Sequence, residues 1–160
     1  MFALYNLKNN KAPGMDGVPS EVYKIACNNT HIAEMWLNMF NQLFAMGEYY
    51  FEWNTSIMHT IFKNKGDIND PDNYRGIALA PILSKVYSKM LYERLKTWAF
   101  INNKVSKFQA GFRPGFSTVD NIFVLDHLIC KYLSMCKLYC AFVDFKKAFD
   151  TVNREKLWTR

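Results

Sequence analysis

The sequence predicts an α+β fold, and three features predict it. Apolar residues recur at helical spacing through three long stretches, 30–47, 82–98 and 117–135. Two short runs rich in β-formers, 56–62 and 74–79, flank a polar, turn-rich segment, which is the pattern of a hairpin with a long tip. A third run, Leu138 to Val143, reads as a strand buried on both faces and leads straight into Asp144.

Taken in order, residues 8–18 are turn-forming, with Asn9-Asn10, Pro13-Gly14 and Asp16-Gly17, and Pro19 follows. Ser20 can cap a helix to about Cys27, and Thr30 a second one that stops at Gly47. Ile32, Met35, Trp36, Met39, Phe40, Leu43 and Phe44 lie on one side of that second helix. After the hairpin, Leu83, Val86, Tyr87, Met90, Leu91, Leu95 and Trp98 mark the core stripe of a helix ended by Asn102-Asn103. Residues 109–116 form a loop with two glycines and a proline. Ser117 with Asp120 has the spacing of a capping box. There is no internal repeat and no low-complexity segment.

Half of the 160 residues are hydrophobic and 16% are aromatic, enough for a core and too many for a disordered chain. No apolar run approaches the ~18 residues of a membrane span, and Met1 is not followed by a secretory pattern. The expectation is therefore no membrane and an intracellular location. Cys27, Cys130, Cys136 and Cys140 form no CxxC pair, and His31, His59 and His127 are not at zinc-site spacing from them. Buried, reduced thiols are expected. The net charge of +6 is uneven: residues 63–113 alone carry +6, against −2 before them and +2 after. A basic middle favours a polyanion, and a solvated lysine-rich helix face is the plain alternative.

Asp144 is the strongest candidate for chemistry. A carboxylate at the end of a buried strand needs a helix N-terminus, a cation or a metal ion as partner. Capping the turn 145–148 is the alternative role. Lys63, Lys65 and Arg75 lie at the ends of the expected hairpin, where cationic donors suit a triphosphate. Solvation is the bland fate of such a lysine. Phe112 invites either base stacking or, as favoured here, burial within its glycine-shaped loop.

Four blocks carry a family resemblance. KNNKAPGMDGVPSEVYK (8–24), IFKNKGDINDPDNYRGIAL (61–79), SKFQAGFRPGFSTVDNIF (106–123) and FVDFKKAFDTVNREKLW (142–158) occur in this order. They are similar to blocks of the reverse transcriptases of non-LTR (LINE-like) retrotransposons, and together they cover nearly the whole chain. The resemblance implies the fingers and first palm strand of a right-hand polymerase. It divides the chain into a helical extension (1–55), the fingers (56–117), and a helix with the first palm strand (118–160). The family's second catalytic block, an aromatic–x–Asp–Asp turn, is absent, and no Asp-Asp pair occurs. The resemblance therefore places the rest of the palm and the thumb outside this sequence, in the same polyprotein.

The implied function is RNA-directed DNA synthesis, with RNA template, DNA primer and dNTP as partners and two Mg²⁺ ions as cofactors. It works within a cytoplasmic and nuclear ribonucleoprotein. Asp144 becomes the first catalytic carboxylate and a metal ligand, with the Phe145 carbonyl beside it. Phe149 becomes the residue beneath the incoming sugar, where a bulky ring excludes a 2′-hydroxyl; a core position is its alternative. Arg75 and one of Lys63 and Lys65 hold the triphosphate, and Gln109, Gly111 and Arg113 face the template. The isolated chain is expected to be inactive. A truncated remnant that at most binds nucleic acid is the rival reading.

Overall fold

Trp36, Phe40 and Leu43 recur on one side of a 17-residue helix, and that side is buried. This helix, α3 (Thr30–Met46), organises the N-terminal part of the protein. The computed structural model describes residues 2–145 and 147–159, the Phe2 side chain excepted. Met1, Lys146 and Arg160, the last two being members of the basic count, lie outside the described residues. Two units are distinguished, Met1–Lys104 and Val105–Arg160.

The first unit runs α1 (Phe2–Tyr5), α2 (Ser20–Ala26), α3, β1 (Ile57–Phe62), β2 (Tyr74–Leu79) and α4 (Ile82–Ile101). Short 3-10 turns at Phe51–Asn54 and Pro71–Asn73 precede β1 and β2. Leu4, Tyr23, Cys27, Trp36, Phe40, Leu43, Ile82, Val86 and Tyr87 form its core, with Val86 only 1% exposed. Aromatic pairs tie the helices together. Phe40 stacks on Tyr87 at 5.8 Å, and Trp53 touches both, at 6.3 and 6.0 Å. The Tyr49 hydroxyl bonds the buried Ser84 hydroxyl beside this cluster.

Helix starts differ from expectation in an instructive way. Asn29, not Thr30, caps α3, accepting from His31 N at 3.0 Å and Ile32 N at 3.4 Å. Ser20 is no cap either; it is 1% exposed and its Oγ donates to the Lys8 carbonyl at 2.7 Å. A buried hydroxyl must find a partner, and the incoming 8–18 loop supplies one. That loop is pinned further by Asn10 N donating to Glu21 Oε1 at 2.5 Å and Tyr23 Oη to Asp16 Oδ2 at 3.2 Å. The Asn10 amide holds the Glu21 carboxyl below its usual range. Burial, then the Asp16 charge, pushes the Tyr23 phenol up to about 12.

β1 and β2 form an antiparallel hairpin in the register Ile57↔Leu79 to Phe62↔Tyr74, as the patterning predicts. Gly47 ends α3 at φ +68, and Asn102 ends α4 with its Nδ2 bonded to the Trp98 carbonyl at 2.8 Å. The expected core stripe of α4 is only half used. Val86 and Tyr87 are buried, whereas Leu95 and Trp98 are exposed. Phe44 on α3 is exposed likewise, under the Arg94 guanidinium at 4.7 Å.

The second unit holds α5 (Thr118–Tyr132) and α6 (Arg154–Trp158). The capping box is present: Ser117 N donates to Asp120 Oδ2 at 2.6 Å, and Val119 N to Ser117 Oγ at 3.2 Å. One expectation fails outright. Residues 138–143 form no strand, and Tyr139, Phe142 and Val143 are exposed. A two-faced apolar strand needs neighbours for its backbone groups and cover on both sides. Among the described residues the only ladder is β1–β2. The thiols depart too: Cys27 is buried, donating to the Lys24 carbonyl at 3.1 Å, but Cys130, Cys136 and Cys140 are exposed.

Two outcomes are expected. A Cβ on Gly14 would lie 2.5 Å from Pro81 N and 2.6 Å from the Ala80 carbonyl carbon, so backbone must move. Gly14→Ala should cost about 1–3 kcal/mol in denaturant unfolding, and an unchanged midpoint would dismiss the contact. Tyr23, with its folded pKa raised to about 12, contributes stability that is complete below its ordinary value of 10.0 and is lost as pH rises toward 12. Tyr23→Phe should flatten the fall of melting temperature across that window; an identical slope refutes the assignment.

Candidate functional site

The hairpin tip is built from short polar side chains that turn the backbone by hydrogen bonding to it. Asp67 Oδ1 accepts from Asn69 N at 2.9 Å, and Asp70 Oδ1 from Asp72 N at 2.9 Å. Asn73 Nδ2 donates to the Asp67 carbonyl at 2.9 Å, and Tyr74 Oη to the Ile68 carbonyl at 2.8 Å. Phe62 and Tyr74 close the ladder with ring centroids 5.3 Å apart. Lys63 takes part in this closure twice. Its backbone N donates to the Asn73 carbonyl at 2.8 Å, and its Nζ to the Asp72 carbonyl at 2.6 Å.

This separates two lysines that the sequence left equivalent. Lys63 is engaged in holding the tip, while Lys65 and Arg75 are exposed cations beside it. Arg75 faces Ile61 across the ladder, one residue past the tip. Farther along the same unit, Lys85, Lys89, Arg94 and Lys96 give α4 a basic surface against the single acid Glu93. Lys89 lies 2.6 Å and Lys96 3.4 Å from Glu93, whose carboxyl the Lys89 hydrogen bond holds below its usual range. Such exposed pairs are screened by solvent and stabilise little.

In the second unit Gln109, Gly111 and Arg113 are brought together by bonding one another. Gln109 Nε2 donates to the Gly111 carbonyl at 3.3 Å. Arg113 Nη1 donates to the carbonyls of Ser106, Lys107 and Gln109 at 3.0, 3.4 and 3.3 Å. Its guanidinium also lies 4.4 Å from the Phe116 ring centre. Phe112, expected to be buried, is 89% exposed and sits at φ +60. For a bulky side chain that backbone region costs about 1–3 kcal/mol.

Asp144 and Phe145 are exposed and lie in irregular backbone. Phe149 sits in the turn that follows, which Asp150 N and Thr151 N close onto the Lys147 carbonyl at 3.0 and 3.1 Å. Its ring is 79% exposed, so it is no core residue here. Asn153 caps α6, accepting from Lys156 N at 3.0 Å.

Residues 62–160 match the reverse transcriptase (RNA-dependent DNA polymerase) family. The chain belongs to the reverse transcriptase family. It is 31% identical over 147 residues to a Drosophila melanogaster protein named "Probable RNA-directed DNA polymerase from transposon X-element", covering 90% of this chain and 16% of that protein. It is 26% identical over 147 residues to the RNA-directed DNA polymerase from mobile element jockey of the same species, covering 89% and 15%. A Drosophila melanogaster transposon BS relative, also named a probable RNA-directed DNA polymerase, is 28% identical over 160 residues, covering 97% and 17%. These names agree with the non-LTR resemblance of the four sequence blocks. The chain spans about one-sixth of the length of these relatives. No solved structure matches it.

Reverse transcriptases as a family work with divalent metal ions, so the donor set can be tested. Asp144 offers a hard carboxylate oxygen and Phe145 a carbonyl, donor chemistry suited to a hard divalent cation. Their number falls short. Among the described residues no group of three His, Cys, Asp or Glu side chains comes together. The described residues of this reverse transcriptase chain bring together no closed metal site. Among the described residues, no helix is long and apolar enough to cross a membrane.

The tip makes a sharp forecast. Lys63→Met should speed amide exchange at Asn73 and Lys63 by about fivefold, the cost of one hydrogen bond near 1 kcal/mol. Lys65→Met should leave both rates alone. Equal effects of the two changes would reject the latch.

Proposed function

We propose that this chain is the N-terminal part of an RNA-directed DNA polymerase domain that copies the RNA of a non-LTR retrotransposon. The observation that carries the reading is the reverse transcriptase match across residues 62–160, which contains the hairpin tip, the QAGFRPG loop and the Asp144 block on one chain. In this reading 1–55 is the helical extension of the fingers, 56–117 the fingers, and 118–160 the helix and segment that becomes the first palm strand when partner strands are present. The partners are an RNA template, a DNA primer and a dNTP. The setting is an intracellular ribonucleoprotein of cytoplasm and nucleus.

The residues divide the work by their chemistry. Arg75 and Lys65, exposed at the hairpin, meet the triphosphate, and Lys63 holds the tip that carries them. Asp144 and the Phe145 carbonyl give oxygen ligands toward Mg²⁺, which supplies charge neutralisation at the transferred phosphate when bound. Further carboxylates must come from the rest of the domain. Gln109, Gly111 and Arg113 shape the loop offered to the template. Phe149 lies beneath the sugar and excludes a 2′-hydroxyl by its bulk.

The test has two arms. The isolated 160-residue chain should show no metal-dependent primer extension, because Asp144 alone cannot hold both ions. Extension that Asp144→Ala abolishes would defeat that. In an enzyme carrying the complete domain, Asp144→Asn should depress dNTP and rNTP use alike. Phe149→Val should raise the rNTP to dNTP ratio of kcat/KM. Since its ring is exposed, the same change should alter the stability of the isolated chain by no more than about 0.5 kcal/mol, not the ~3–5 of a core phenylalanine. An unchanged sugar ratio in a folded variant would end Phe149's assignment.

A further inference from the structure

Arg113 is engaged inside its own loop through Nη1, and the loop presents another residue to solvent. Three backbone carbonyls accept from its Nη1, and its flat face covers Phe116. A guanidinium held this way braces the loop. What the braced loop holds out is Phe112, 89% exposed and set in the left-handed region that a phenylalanine rarely adopts.

Phe112 borders a cleft of about 250 Å³ between the loop and the start of α5, lined also by Ala110, Gly111, Phe116, Thr118 and Asn121. That is below the roughly 300–1,000 Å³ of a drug-sized pocket, and suits a single ring system. An aromatic side, a hydroxyl and an amide are the chemistry that a nucleobase meets when it leaves a stack. Phosphate suits the cleft poorly, because the Asp120 carboxylate already occupies the amide end of α5. Around it the charge is favourable: residues 105–116 carry two cations and no carboxylate.

We propose that this cleft receives one unpaired base of a nucleic-acid strand, stacked on Phe112, with Arg113 as the positioning residue that braces the loop. The proposal rests on the nucleic-acid function proposed above and names one of its contact points. A strained backbone under an exposed ring fits a position that meets a ligand.

The strain provides a test that separates binding from folding. Glycine adopts φ +60 without penalty, so Phe112→Gly should keep or raise the melting temperature of the 160-residue chain. The same variant should bind single-stranded oligothymidylate about 5- to 100-fold more weakly, the worth of one base–aromatic stack. It should also lose the emission change of a 2-aminopurine placed in that strand, which Phe112→Tyr should retain. Binding to fully paired duplex should not change. Unaltered single-strand affinity in Phe112→Gly overturns the proposal, and so does a fall in melting temperature or an equal loss on duplex. Wild-type protein that binds duplex but not single strand overturns the cleft alone and leaves the polymerase reading standing. Wild-type protein that binds neither removes the reading on which both rest.

Discussion

The Trp53–Tyr87 contact at the foot of the hairpin does more for this protein than its 6.0 Å separation suggests. Trp53 lies shortly before β1 and Tyr87 on α4, the helix that follows β2, so their contact ties the approach to the hairpin to the helix that leaves it. Phe40 of α3 touches both rings. Almost every residue of β1 and β2 is exposed. A two-stranded ladder with both faces wet is marginal by itself. Its geometry therefore comes from its ends, the aromatic clamp at the base and the Lys63 latch at the tip. Between them Arg75 is carried on a segment whose position is set elsewhere.

The 8–18 loop is part of the same clamp. Gly14 brings its backbone against Ala80 and Pro81, the residues joining β2 to α4. No larger residue can approach so closely. The loop is then tied to α2 by Ser20, Glu21 and Tyr23. A segment that reads as a string of turns is in effect the strap that fixes where α4 begins. Polar residues here bond one another and the loop's own backbone.

The same economy governs the candidate site. Two of the candidate cations, Lys63 and Arg113, donate to carbonyls of their own loops. Tight turns leave carbonyl oxygens without partners, and a long cation is the readiest donor. On the proposed reading, ligand contact falls to their neighbours: Lys65 and Arg75 at the hairpin, Phe112 in the second loop. A sequence shows that a cation is present in a loop, but not whether the loop consumes it.

Local chemistry was legible in the sequence. Two runs of β-formers around a turn-rich segment gave the hairpin, the Ser117–Asp120 spacing gave the start of α5, and Gly47 and Asn102 gave helix ends, because each depends on residues a few positions apart. Family membership was legible as well, from four short blocks in order. Tertiary structure decided what depends on partners far along the chain. It replaced Ser20 as a cap by the Lys8 carbonyl's claim on its hydroxyl, left the outer half of the α4 stripe uncovered, and assigned Lys63 to the tip. It also left residues 138–143 without a ladder. Their composition states a preference for a strand, but a strand is made only when another strand takes up its hydrogen bonds, and composition carries no information about whether that neighbour is there.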